Sequence, residues 1–156
     1  VVTIVVRGEP ASQGSKRAFR NPHSGRISQV ESSKALKPWR EHVHNAAVDA
    51  MAGAARLEGP VSVRVVFYFD RPATHYRSGR NAHLLREGAP IAPANRGSKD
   101  IDKLQRAVFD ALSSAGVWAD DSQVAIVVAS KAWTTDGGAA LTVPGVVIAV
   151  HRLGGE

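Results

Sequence analysis

The chain has 156 residues and a formal net charge of +6, from 20 lysines and arginines against 14 aspartates and glutamates, and its sequence pI is near 10.2. With 44% hydrophobic and 22% charged residues it is neither disordered nor fibrous, and its length suits one domain over residues 1–156 with a real core. The absence of cysteine excludes disulfides, zinc–thiolate sites and thiol nucleophiles and fits a cytoplasmic protein.

The opening VVTIVVRGEP is β-branched and apolar. It lacks the basic start, long apolar region and cleavage site of a signal peptide, and no stretch reaches membrane-spanning length, so residues 1–6 are expected to form a first buried strand and no membrane partner is expected. A start at Val1 rather than Met leads us to expect that an initiator or a few residues were removed before it. Gly8 to Gly14 then supply turn residues, and a basic loop follows with Arg7, Lys16, Arg17, Arg20 and Arg26. From Ser32 or Ser33 to about Ala55, Leu36, Trp39, Val43, Ala47 and Met51 recur at helical spacing, with Gly53 weakening the end. Val61, Val63, Val65, Phe67 and Phe69 alternate with polar residues and predict a strand.

Residues 71–98 hold prolines, glycines and Arg71, Arg77, Arg80, Arg86 and Arg96 with little periodicity, the pattern of a functional loop. A second helix is predicted from Ile101 to Ala115, stopped by Gly116. Val124, Ile126 and Val128 begin another strand, Thr134 to Gly138 read as a turn, and Val143 to Val150 as a last strand interrupted by Pro144. The order β-α-β-loop-α-β-β predicts an α+β fold, a mixed sheet of about four strands covered by two main helices.

Between Lys99 and Asp121 the chain reads KDIDKLQRAVFDALSSAGVWADD, which concentrates Asp100, Asp102, Asp110, Asp120 and Asp121 in one stretch of a basic protein. Hard divalent cations such as Mg²⁺ take a few carboxylates plus water and phosphate oxygens, so a negative cluster within a positive surface suits an enzyme acting on a polyanion. A plain structural reading competes with this. Asp100 would be a helix N-cap, Asp102 would pair with Arg106, and Arg106 with Asp110. The Asp120-Asp121 pair tips the balance, because together with Asp100 and Asp102 it supplies the three or four oxygens that a Mg²⁺ site needs.

The D-x-D-x-L block at Asp100, Ile101, Asp102 and Leu104, the D-A-L at Asp110 to Leu112, and Gly116, Asp120, Asp121, Gln123 and Val124 together resemble the RusA family of Holliday junction resolvases, common in phages and prophages. Gly8, Pro10, Gly14, Lys16 and Arg17 and the strand at Val61 to Phe69 resemble its N-terminal half. The resemblance implies that Asp100, Asp102 and Asp121 hold Mg²⁺, with Mn²⁺ able to substitute and Asp120 as neighbour. It implies a homodimer cutting four-way junction or other branched DNA by metal-assisted phosphodiester hydrolysis. Family members often carry Asn where this chain has Lys103 and Lys where it has Arg106. Arg106 is thus placed in the catalytic set as a phosphate clamp, since a guanidinium is a poor proton donor near neutral pH.

A geometric tension accompanies that site. A helix from Ile101 to Ala115 rises about 1.5 Å per residue, so it separates Asp102 from Gly116 by roughly 20 Å. Either the link to Asp121 doubles back, or a partner chain completes the site.

DNA contacts are expected from Lys16, Arg17, Phe19, Arg20, Arg77, Arg80, Arg96, Lys99 and Lys103, with Phe19 as a candidate wedge between bases. GEPASQGSK at Gly8 to Lys16 has the wrong glycine spacing for a phosphate-binding loop and lacks Ser or Thr after the lysine, so no nucleotide cofactor is expected. His42 and His44 point to different faces of a helix, and His75 and His83 are read as solvated loop residues. Trp39, Trp118 and Trp133 are expected to anchor the core or a dimer interface. Three functions fit these residues: a junction-resolving nuclease, a nuclease for other branched DNA, and a non-catalytic DNA-binding relative.

Overall fold

A computed structural model describes residues 1–14, 22–24 and 34–154 in full and residues 16–20 and 27–31 by their backbone alone. Its elements are β1 (Val2–Arg7), β2 (Lys16–Arg20), β3 (Ile27–Glu31), α1 (Leu36–Met51), β4 (Val61–Phe69), α2 (Ile101–Ser114), β5 (Val124–Trp133) and β6 (Gly145–Arg152). Four strands form one mixed sheet in the order β1-β6-β4-β5, with β4 and β5 parallel and the other pairs antiparallel. The α+β class and the two helices agree with the sequence pattern.

Alternation decides which face of the sheet is covered. Val61, Val63, Val65 and Phe67 of β4, Ile4 and Val6 of β1, and Val146, Ile148 and Val150 of β6 are buried together under the helices. Each such side chain contributes about 1.5–3 kcal/mol when fully buried. α1 lies over the β1 side of the sheet and α2 over the β5 side. The two helices are joined across their facing flanks by Arg40 Nη1 to Asp110 Oδ2 at 3.6 Å and His44 Nδ1 with Ser114 Oγ at 2.9 Å.

Several predicted boundaries shift. α1 runs only from Leu36 to Met51, because Ala52 turns left-handed (φ 49°) and its N–H returns to Val48 and Asp49 carbonyls. The last strand starts at Gly145, after Pro144 rather than across it, and runs on to Arg152. Gly145 is dictated by contact, since a Cβ there would lie 2.2 Å from the Val6 carbonyl. The first basic loop contains an antiparallel hairpin, β2 with β3, that the sequence pattern did not predict. α2 ends as expected. Gly116 (φ 75°) lets the chain turn back, and the Val117 N–H reaches the Leu112 carbonyl at 3.1 Å.

Candidate nuclease site at the two ends of one helix

Asp100 occupies the N-cap position of α2 in extended conformation, but its side chain makes no capping hydrogen bond. It faces Lys103 Nζ at 3.5 Å instead. Asp102 lies exposed in the first turn of α2 and, among the described residues, makes no ion pair. The expected Asp102–Arg106 pair is therefore not formed, and Asp110 is turned toward Arg40 of α1. Arg106 is exposed one turn further along the helix. Carboxylates in this first turn gain from the unpaired N–H groups of the helix start, which favours charge without fixing its position.

The second acidic pair is built differently. Asp121 begins a short 3₁₀ turn, Asp121–Gln123, immediately before β5. Its Oδ1 accepts from Ser113 Oγ at 2.5 Å and from the buried Trp118 Nε1 at 3.0 Å. Trp118 Nε1 also donates to Ser113 Oγ at 2.7 Å, so hydroxyl, indole and carboxylate form a closed triangle. Phe109 packs edge-on against Trp118 at 5.5 Å. Asp120 caps the turn. Ser122, first through its hydroxyl and then through its backbone N–H, holds the Asp120 carboxyl below its ordinary value. Gln123 completes the box by accepting from the Ala119 and Asp120 N–H groups and donating to the Leu57 and Gly59 carbonyls.

Asp121 thus sits at the C-terminal end of α2 and Asp100 and Asp102 at the other. The link does not double back. Ser113 follows Asp102 by eleven residues, which is roughly 16–17 Å of helix. Among the described residues no three Asp, Glu or His side chains converge as a cation site. The oxygens are of the right chemistry for a hard cation, and the two bonds that hold Asp121 both fall on Oδ1; within one chain they do not fit one ion.

The expected DNA-contacting residues divide into three groups. Lys16, Arg17, Phe19 and Arg20 lie in β2, where side chains fall outside the described residues, so the Phe19 wedge has no structural description. Arg77, Arg80 and Arg96 are exposed, although Arg77 Nε is bonded to the Leu85 carbonyl at 3.1 Å. Lys99 is turned inward: its Nζ donates to the Pro10 carbonyl, lies 3.7 Å from Glu9 and sits over the Phe69 ring. Lys103 faces Asp100. Lys99 also borders a cleft of about 250 Å³ lined by Glu9, Phe69, Asp70, Asn95, Ser98 and Trp133.

Residues 71–98 are organised by Arg71, which stacks on Trp133 at 4.9 Å and bonds the Pro90 carbonyl at 2.8 Å. All three tryptophans are buried. Sequence reasoning missed Ser113, Trp118 as an Asp121 donor, and Lys131, whose Nζ holds the Lys99 carbonyl at 2.8 Å. A serine in the last helical turn opposite an acidic pair was the available signal for the first.

The family model for endodeoxyribonuclease RusA matches residues 8–144, most of the chain and every acidic position above. The chain belongs to the RusA endodeoxyribonuclease family. Similar RusA proteins are the crossover junction endodeoxyribonucleases of Escherichia coli K12, Shigella sonnei and Enterobacteria phage 82. Each is 48% identical over 44 residues, which is 28% of this chain and 37% of the relative. The match therefore spans little more than a third of these RusA relatives' length. Among the described residues no helix is long and apolar enough to cross a membrane.

Proposed function

We propose that this RusA-family chain is a divalent-metal-dependent endodeoxyribonuclease that resolves four-way DNA junctions by paired symmetric cuts, acting as a homodimer on DNA in the cytoplasm of a bacterial host. The observation that carries this is the family match across residues 8–144. Within that span Asp102 stands exposed and unpaired among the described residues, as a ligand awaiting a cation does, and Asp121 is held by two donors. A protein that only bound DNA would gain nothing from carboxylates set against phosphate. Mg²⁺ is the expected ion and Mn²⁺ its substitute, with Asp100, Asp102 and Asp121 as ligands. The exposed Arg77, Arg80, Arg96 and Arg106 would neutralise backbone phosphates around the cut, which fixes the duplex without reading its sequence. Paired cuts require two active sites related as the junction arms are, and a two-fold dimer supplies them.

The test is cleavage of a labelled immobile four-way junction in Mg²⁺ beside duplex and flap DNA, with EDTA and Asp102→Asn as controls. Symmetric nicks confined to the junction and lost in both controls are expected. Preference for the flap would make the chain a nuclease of other branched DNA. Binding without cutting in Mg²⁺ or Mn²⁺ would leave only a DNA-binding relative.

A further inference from the structure

We infer that Tyr76 to Arg86 form a preformed basic ribbon that enters the major groove of a DNA duplex arm beside the cut. DNA as the partner follows from the nuclease reading; the ribbon itself stands on geometry. Its role goes beyond the neutralisation of phosphates by single exposed arginines, because it places one folded element inside a groove.

The segment holds its own shape. Tyr76 pairs antiparallel with Leu85. On either side of that bridge the Arg77 N–H reaches the Leu84 carbonyl and the Arg86 N–H the His75 carbonyl, each at 2.8 Å. A turn at Gly79 (φ 62°) closes the far end, where the Ala82 N–H returns to the Gly79 carbonyl and the Leu84 N–H to the Asn81 carbonyl. Two arginine side chains then lace the strands together. Arg77 Nε donates to the Leu85 carbonyl at 3.1 Å, and Arg86 Nε to the Tyr76 carbonyl at 2.7 Å. A lone two-stranded ribbon is marginal in water, so these ties and a firm root are what keep it formed.

The root is clamped to the last residue of β5. Arg71 lies over the Trp133 ring at 4.9 Å and donates from Nη1 to the Pro90 carbonyl at 2.8 Å, so the chain entering the ribbon is tied to the chain leaving it. Trp133 Nε1 donates to the same carbonyl at 3.1 Å, and His75 packs edge-on against the indole at 5.4 Å. The indole is buried, which makes it a fixed anchor. Beside this root, Phe69 at the end of β4 and Ser98 and Lys99 ahead of α2 line one cleft with Trp133. The ribbon therefore leaves the molecule at the end of α2 that carries Asp100 and Asp102.

What the ribbon presents suits a groove. Between Tyr76 and Arg86 it carries Arg77, Arg80, His83 and Arg86 and no carboxylate. Every residue from Arg77 to Gly88 is exposed, Leu84 and Leu85 among them. Lacing spends one N–H of Arg77 and one of Arg86. A guanidinium has five, so each fork is aimed and still able to donate to phosphate or to guanine N7 and O6. The two leucines add apolar surface of the kind that meets thymine methyl groups, which a purely phosphate-binding loop does not need. Size selects the groove. Two strands about 4.8 Å apart, with side chains on both, match a major groove about 12 Å wide and exceed a minor groove of about 6 Å.

Binding is tested apart from cutting, with the full-length protein on a four-way junction in EDTA. Dimethyl sulfate reports both grooves at once, since it methylates guanine N7 in the major groove and adenine N3 in the minor. Wild type is expected to protect guanine N7 in a duplex arm next to the branch. Arg80→Ala combined with Leu84→Ala and Leu85→Ala should lose that protection while its urea unfolding stays near wild type. Arg80→Ala alone should weaken binding and lower the slope of log K against log salt by about 1. Arg71→Gln frees the root but keeps the charges of the ribbon. It should weaken binding about tenfold with the salt slope near wild type, as loss of preorganisation requires.

Protection of adenine N3 in place of guanine N7, guanine protection that survives in the triple variant, or an unchanged affinity and salt slope in Arg80→Ala would overturn the inference. A protein that cuts junctions in Mg²⁺ with any of those results would keep the nuclease reading and lose the ribbon. Ribbon-dependent guanine N7 protection by a protein that cuts no DNA would uphold the ribbon and sink the nuclease reading alone.

Discussion

The two ends of α2 hold carboxylates in opposite ways. At its start Asp102 stands in water with no ion-pair partner among the described residues, and Asp100 meets only Lys103 at 3.5 Å. At its finish Asp121 is fixed by Ser113 and by an indole that is itself buried and packed on Phe109. A ligand held by its neighbours loses little freedom on binding a cation, whereas a free one adapts to where the cation sits. Asp121 is thus preorganised by its neighbours, and Asp102 is not.

The largest effects should come from removing either half, and they should differ in kind. If both hold the cation as proposed, Asp102→Asn and Asp121→Asn are each expected to lower junction cleavage by about 100-fold or more, beyond the 10–100-fold typical of residues that only support a ligand. Asp102→Asn should leave stability within about 0.5 kcal/mol, because the residue is exposed and makes no ion pair among the described residues. Asp121→Ala should cost about 1–3 kcal/mol by leaving the Ser113 hydroxyl without its acceptor and removing one of the two acceptors of Trp118 Nε1. Urea unfolding beside cleavage assays checks this, and equal stability losses would erase the distinction between the ends.

Ser113 sharpens the same contrast at smaller scale. Ser113→Ala removes the hydroxyl but leaves Trp118 Nε1 on Asp121, so cleavage is expected to fall about 10–100-fold with binding of the junction retained. Ser113→Thr keeps the hydroxyl and should recover most of the loss. Single-turnover cleavage with gel-shift binding separates the two steps.

This contrast also marks what sequence can disclose. The helix, its Gly116 stop and the alternating β4 were legible because each follows from a period or from one residue's backbone freedom. The acidic residues stood out in sequence as a concentration of carboxylates, and the length of α2 already implied the separation that the structure shows between its two ends. The hairpin of β2 and β3 was not legible: short strands rich in arginine, lysine, serine and glutamine carry no apolar alternation to report a buried face. Lys99 was read as a DNA contact because charge is visible in sequence, and its turn inward to Pro10 and Glu9 is not. Nor was the exposure of Ile126 to Val128, since β-branched runs look the same at an edge and in a core.

Gln123 tests how much of the rigid half depends on its foundation. Its amide joins the turn before β5 to the Leu57 and Gly59 carbonyls and to two N–H groups ahead of Asp121. Gln123→Ala should therefore destabilise by about 1–3 kcal/mol and reduce cleavage through Asp121 placement. Gln123→Glu, which loses the donors but keeps an acceptor, should fall between. A wild-type melting curve for Gln123→Ala would show that the Ser113 and Trp118 clamp needs no base.

The smallest effect belongs to the flank of α2 turned toward α1. Arg40 and Asp110 lie 3.6 Å apart with more than a third of each side chain exposed, and such pairs contribute about 0.2–1 kcal/mol because solvent screens them. Arg40→Ala is expected to stay within that range and to leave cleavage unchanged, with a double-mutant cycle against Asp110→Asn giving the coupling. The two flanks of one helix would then be separated by function: carboxylates on the outer flank lost at the expense of activity, and those on the inner flank lost at a small expense of stability. A cleavage defect in Arg40→Ala would instead move the DNA path onto the α1 side and place the working surface across both helices.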